Sequence, residues 1–430
     1  MVTWLFSFMF SVFLYFWTTE SVNLTLLLLK EYIAAVILLA VVSFLVCKKD
    51  PRGKVRQGLL LIAVFLNIGM SVYCQTDSEY TFKGNATLWD VFRESYLFEI
   101  IMMFLAFLVA FVIVRYTSFY RTRTVAYLAM AATVICVYGA GMFGSSGGSN
   151  LKFFGVMVFA ELLLCYVFGV SWLCSVSENR YVGGNPSMVS YNCVALLLWT
   201  FLLYFGSGIL NNEFGLLAVL GLGTTILFFI KCRNVAAKLL YSAASAGGAL
   251  LAATHVRHIS DRVQIFLNPA AAYKNPVLKQ QAESLMYLFR HWNEDGWWGD
   301  GPGHLSAAYY PTRTSDHLLV LLWDNFGVFL LLGVIVGGLL LVRWMLTEPE
   351  GLSLYDKYLN LCCAVLTGII MLLNVISCTT ITIGVPFPFI SKGASINVFL
   401  LMPFVGIHAG LVYKAKGEEY SYDDLENEEF

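Results

Sequence analysis

Long apolar runs alternate with short polar connectors along almost the whole chain. The apolar runs fall at 3–19, 22–46, 57–74, 95–114, 126–142, 154–174, 189–210, 214–230, 236–254, 317–342, 358–380 and 394–413. Crossing the hydrocarbon takes about 20 apolar residues in a helix. The pattern therefore predicts an all-α, polytopic membrane protein with about twelve transmembrane helices. The first run is short for a span. Its start, MVTWLF, lacks the basic n-region and small-residue cleavage site of a signal peptide, so it reads as an anchor.

The polar connectors set the orientation. Lys and Arg concentrate in Lys48 to Arg56, Arg115 to Arg123, the stretch around Arg180, Lys231 to Lys238, and Arg343 to Lys357. These are every second loop, and short basic loops stay on the cytoplasmic side. Both termini are then cytoplasmic. One connector is unlike the rest. Between the ninth and tenth apolar segments, His255 to Asp316 is a polar island rich in His, Arg, Asp, Glu and Trp. The topology makes it the largest extracytoplasmic loop. It ends in YYPTRTSDH, which brings Asp316 to the edge of the next apolar helix.

Composition agrees with this picture and narrows the function. Of 430 residues, 58% are hydrophobic and 13% charged, and the mean hydropathy of +0.71 excludes an ordinary soluble globule. The ten cysteines lie in or beside apolar segments and none is in the outer loop, which argues against a disulfide framework and against Cys-based zinc sites. No nucleic-acid motif, Gly-rich phosphate loop or tandem repeat is present, and a net charge of -1 names no partner. The triplet NAT at Asn85 is of a kind that recurs by chance. The closing GEEYSYDDLENEEF is acidic and has the composition of a disordered tail.

Ionisable groups inside apolar segments are costly and are candidates for function. Glu161 is the clearest, in FFGVMVFAELLLCYVFG, and Glu99 and Glu213 lie at helix starts. Glu161 reads equally as a structural carboxylate hydrogen-bonded between helices, and Glu213 as a helix N-terminal charge favoured by the dipole. Lys30 and Glu31 are adjacent and can pair. At the start of the outer loop, His255, Arg257, His258, Asp261 and Arg262 cluster. Arginine there suits a phosphate or pyrophosphate, or simply solvates the membrane edge. His291, His304 and His317 match no standard metal-ligand spacing. Trp292, Trp297 and Trp298 suit an interfacial belt better than a sugar-stacking platform. Glycines in Gly296 to Gly303, and Pro386 with Pro388 in Gly384 to Ser395, predict irregular backbone. At membrane depth such backbone must be buried in protein or line a wet cavity.

Taken together, these segments resemble the SEDS family (FtsW, RodA and SpoVE), the polytopic glycosyltransferases of bacterial cell-wall synthesis. The family's LPFISYGGSS appears as PFPFISKGAS, and its GxGLGxS…YLPEAHTDFIFAxxxEELG as GDGPGHLSAAYYPTRTSDHLLVLLWDNFG. Its loop opening Rxxx(F/Y)LxP is RVQIFLNP, Arg262 to Pro269. Its PDxG looks like NEFG, which places Glu213 and Gly215 on the Asp and Gly. The QPSE glutamate falls on Glu161, and Asn374 in LLNVISCTT corresponds to an asparagine of the penultimate helix. The likeness runs from about Gln57 to the C-terminus and preserves a SEDS-like ten-helix order. It leaves 1–47 as an additional N-terminal hairpin, 48–414 as the membrane domain and 415–430 as an acidic cytoplasmic tail. The chain departs from the pattern at Thr312, Thr314, Lys392 and Ala394, and the EELG glutamates become Asp324 and Asn325. The family's GARRWI stretch has no match in GMFGSSGGSNLKF.

The resemblance implies polymerisation of lipid II at the outer face of the bacterial cytoplasmic membrane, in division or elongation, beside a class B penicillin-binding protein. It implies Asp316 as general base for an acceptor hydroxyl, its pKa raised at a half-desolvated edge. From the residues alone, Asp316 serves equally as N-cap of a helix starting at His317. Arg262, Arg257 and Lys392 would screen the donor pyrophosphate, with Glu161, Glu213, Ser391 and Asn374 lining the substrate site. Mg²⁺ or Mn²⁺ would assist the leaving pyrophosphate. The competing readings are a flippase or transporter of lipid-linked precursors, and a non-catalytic scaffold of the division or elongation machinery.

Overall fold

The computed structural model describes residues 53–76, 96–143, 152–153, 156–176, 189–210, 214–255, 257–275, 297–299, 317–347, 351–379, 385–391 and 395–427, and single positions at 37, 38, 41, 44, 279 and 282. Every apolar segment from residue 57 onward coincides with a helix. These are α1 (Lys54–Thr76), α2 (Tyr96–Tyr116), α3 (Arg123–Phe143), α4 (Phe159–Ser175), α5 (Tyr191–Tyr204), α6 (Phe214–Lys231) and α7 (Val235–His255). The outer loop contributes α8 (Arg257–Leu267) and α9 (Pro269–Tyr273). The series closes with α10 (Leu318–Leu346), α11 (Leu354–Thr379) and α12 (Met402–Asn427). Five of the described helices are individually long and apolar enough to cross a membrane, and four more are shorter apolar helices. The additional N-terminal hairpin lies outside the described residues except for those four positions, of which Leu38 packs on the core.

The departures from the expected boundaries have local causes. Before α4 the chain makes a small antiparallel ladder, β1 (Lys152–Phe153) with β2 (Val156–Met157), so the helix starts at Phe159 and not at residue 154. α5 continues into a π-turn, Phe205–Leu210, and α12 is preceded by another, Asn397–Leu401. α12 also runs on to Asn427, which corrects the expectation of a tail without structure. Once a helix is nucleated, each further residue adds a hydrogen bond at little cost.

Cross-contacts fix which helix ends lie together. Tyr120 and Arg121, in a 3₁₀ turn between α2 and α3, both bond Asp356 in the first turn of α11. Lys414, midway along α12, donates to Tyr120 Oη (3.2 Å) and to the Thr117 carbonyl (3.3 Å), while Arg115 donates to the Tyr413 carbonyl. Trp172, near the end of α4, lies 6.4 Å from the Tyr355 ring. The ends of α2 and α4 thus meet the starts of α3 and α11 and the middle of α12 at one pole, which carries the basic connectors predicted to be cytoplasmic. α2 and α12 run parallel and in close contact. A Cβ at Gly406 would sit 2.5 Å from Phe107 O, and one at Gly410 would sit 3.0 Å from Val114. This is the small-xxx-small spacing that lets membrane helices approach.

Polar pairs knit the other helices. Tyr166 of α4 shares a hydrogen bond with Thr224 of α6 (2.5 Å), Thr224 donates to Thr200 of α5 (3.4 Å), and Trp199 donates to Thr133 of α3 (3.1 Å). α7 stands apart. Its side chains at Leu239, Leu240 and Leu250 are exposed, and it leads directly into α8.

Candidate functional site

The pole opposite the basic cluster gathers the polar groups that the apolar helices carry. Glu99 lies in the first turn of α2 and Glu161 in the first turn of α4. A carboxylate there is favoured by the helix dipole. Glu161 Oε2 is buried and has no hydrogen-bond partner among the described residues. Glu161 also lies within electrostatic reach of Cys136 on α3. The helix after the outer loop begins at the same pole, as does the segment between α11 and α12.

α10 is two helices in one. From Leu318 to Asn325 every residue is buried, including Asp324 and Asn325 at 2% exposure each. Beyond Gly327 the exposed apolar face resumes at Phe329, Leu332 and Val336. Gly327 breaks the helix with φ 78° and ψ -178°, a conformation open in practice to glycine alone. The turn Trp297–Gly299 of the outer loop docks into this break. A Cβ on Gly299 would meet Gly327 N at 2.6 Å and Asp324 O at 2.7 Å, and a Cβ on Gly327 would strike the Trp297 carbonyl. Trp297 and Trp298 sit beside Phe329, with centroids 5.3 and 5.2 Å away, and both are exposed. That is the placement an interfacial belt requires.

The part of α10 before the break is therefore enclosed in protein, and it carries the end of the outer loop. His317 occupies the N-cap position, its carbonyl accepting from Val320 N at 3.1 Å, and its side chain makes no capping bond. The capping place thus belongs to His317. Asp316 itself lies outside the described residues, as do Glu213 and Lys392. Arg257 and Arg262 lie on α8, an amphipathic helix that buries Ile265 against Ala272 and Ala282.

Ser391 ends a buried re-entrant segment, Val385 to Ser391, that the two prolines keep from being helical, and Asn374 reaches that segment from α11. Asn374 Nδ2 donates to the Val385 carbonyl (2.7 Å), and Ser391 Oγ accepts from Phe387 N (2.9 Å). Both side chains hold backbone, a task that the sequence reading did not assign. Phe389 has φ 63°, the one positive value at a non-glycine among the described residues. A bulky residue there is strained by about 1–3 kcal/mol and persists where its surroundings fix it. Asn397 was not singled out from the sequence, although an asparagine in an apolar run was the signal available. Among the described residues no three His, Cys, Asp or Glu side chains come together, so they offer no cradle for Mg²⁺ or Mn²⁺.

No protein-family model matches the chain, and no curated protein sequence does. Solved structures do match. A chain from a peptidoglycan synthase complex, studied for how it coordinates polymerization and crosslinking, superposes with a TM-score of 0.60 at 16% identity, over 85% of this chain and 98% of its own. The rod shape determining protein RodA of Thermus thermophilus, as an aspartate-to-alanine variant, superposes with a TM-score of 0.53 at 14% identity, over 85% of this chain and 97% of its own. At these identities the likeness is one of fold. It is the SEDS-like fold that the motifs in the sequence pointed to.

Proposed function

We propose that this chain is a membrane glycosyltransferase that polymerises lipid II at the outer face of the bacterial cytoplasmic membrane. The observation that carries this reading is the fold it shares, over 98% of the partner's length, with a chain of a complex concerned with glycan polymerization and crosslinking. The buried polar groups at the pole where the outer loop ends give it chemical support.

In this reading Asp316 takes the proton from an acceptor sugar hydroxyl. That oxygen attacks the anomeric carbon of the donor, and the bond to the undecaprenyl pyrophosphate breaks as the glycosidic bond forms. Arg257, Arg262 and Lys392 would neutralise charge growing on the leaving pyrophosphate. Glu161 and Glu213 would line the interior that the loop covers. The enclosed start of α10 fixes the backbone that immediately follows Asp316, and catalysis gains from such fixed geometry. A class B penicillin-binding protein is the proposed partner, crosslinking the glycan as it is made.

The buried, unpartnered Oε2 of Glu161 favours a second reading, transport of a lipid-linked precursor. Reconstitution in liposomes with labelled lipid II separates the two. The proposed enzyme releases undecaprenyl pyrophosphate and builds glycan. A transporter moves intact lipid II between leaflets and breaks no bond, and that outcome would exclude polymerisation.

A further inference from the structure

We infer that Asn397 is a positioning residue of the outer-pole site, clamping the re-entrant segment to the helices that carry Glu99 and Glu161. The inference rests on the proposed activity for one of its two readouts. The segment from Val385 to Ser391 is buried and has no helix or strand to satisfy its backbone. Buried N–H and C=O groups must find partners. Asn397 serves two of them with one amide. Its Oδ1 accepts from Phe389 N at 2.9 Å, and its Nδ2 donates to the Ser391 carbonyl at 2.9 Å.

This clamp closes on the strained residue. Phe389, at φ 63° and fully buried, is the point where the segment turns back toward α12. Ser391 supports the same turn, since its Oγ accepts from Phe387 N and its own N–H donates to the Phe387 carbonyl at 3.3 Å. Of the common side chains of this size, only a primary amide can donate and accept across so short a span. Aspartate keeps the acceptor and loses the donor, and leucine keeps neither.

The clamp is anchored from below. Asn397 opens the π-turn Asn397–Leu401, which packs against both α2 and α4. π-turns inside α-helices are frequent at functional sites. Asn397 is itself fully buried. It therefore links the position of the segment ending at Ser391 to the helices whose first turns hold the two carboxylates.

The test compares wild type, Asn397→Asp and Asn397→Leu in the full chain with its transpeptidase partner, by amide exchange and by steady-state polymerisation of lipid II. Asn397→Leu should expose the amides of Phe387 to Ser391 to exchange and lower kcat by about 10- to 100-fold, with KM little changed. Asn397→Asp should fall between it and wild type in both readouts. If Asn397→Leu fails to fold, Ser391→Ala takes its place, with the same exchange and kcat losses expected. Retained protection of the segment overturns the clamp, and so does equal behaviour of the Asp and Leu variants. A wild-type rate in an unprotected variant overturns the positioning role. Absence of polymer from the wild type counts against the proposed activity instead, and the exchange data then still decide the clamp.

Discussion

Gly299 and Gly327 approach so closely that a Cβ on either would strike the backbone at or beside the other. Gly299 belongs to the outer loop and Gly327 to the break in α10, and both have positive φ. The loop is thereby locked to the helix by backbone on backbone, with no side chain that could rotate away. Gly327→Ala should destabilise the protein by more than the ~1–3 kcal/mol of its strained backbone, seen as a lower Tm in detergent and lost glycan synthesis. Gly333, on the same helix, has nothing within 4 Å of a built Cβ. Gly333→Ala should be neutral, or more stable by about 0.5–1 kcal/mol. Equal tolerance of both substitutions would falsify the interlock.

At the pole that carries the basic connectors, Asp356 is fully buried and takes an ion pair from Arg121 and a hydrogen bond from Tyr120 at 3.0 Å. Burial, and then the Asp356 charge, push the Tyr120 hydroxyl pKa well up, so it stays a donor at neutral pH. Burial is the largest single influence and works against the Arg121 charge, but the hydrogen bonds and charges of Asp356 and Tyr120 together outweigh it and the guanidinium pKa is raised. Removing one partner of such a buried pair costs about 3–5 kcal/mol. Arg121→Ala should therefore lower the Tm far more than Arg123→Ala, measured on the same purified preparation. A double substitution, Arg121→Ala with Asp356→Leu, should recover much of the loss.

The polar chain Tyr166–Thr224–Thr200 invites the opposite expectation. Hydrogen bonds between membrane helices average about 0.6 kcal/mol, because unfolded helices in lipid find other partners. Thr224→Val should shift stability by less than about 2 kcal/mol and leave the amount of folded protein unchanged. A collapse of folded yield would show that this chain organises α4, α5 and α6.

Glu161 separates the two functional readings. In the polymerase it lines the interior, so Glu161→Gln should weaken glycan synthesis less than Asp316→Ala does. A transporter reverses that order, with Glu161→Gln abolishing movement of lipid II across the bilayer while Asp316→Asn is tolerated. Both reactions are read from the same liposomes.

Much of this was legible in the chain, because the bilayer makes the apolar period a strong signal. Run length predicts about twelve apolar helices, and the ten from residue 57 onward are present among the described residues. The glycines of GWWG announced irregular backbone, but nothing in their spacing says that Gly299 would dock on Gly327, 28 positions away. Asn374 and Ser391 were legible as polar groups in the right segments, while their hydrogen bonds to Val385 and Phe387 depend on a fold-back that no periodicity encodes. Asn397 escaped notice for the same reason. The continued helix beyond Ala415 escaped because composition reports solvation, and a helix already begun propagates through charged residues.

The most direct measurement of the central claim is glycan synthesis from labelled lipid II by the purified chain with its cognate class B transpeptidase, wild type against Asp316→Ala, with Mg²⁺ and with Mn²⁺. The account predicts polymer from the wild type and a loss of about 10²- to 10⁴-fold in the variant, the usual contribution of a general base. Equal amounts of polymer from the two proteins, or equal absence with both metals, would contradict it.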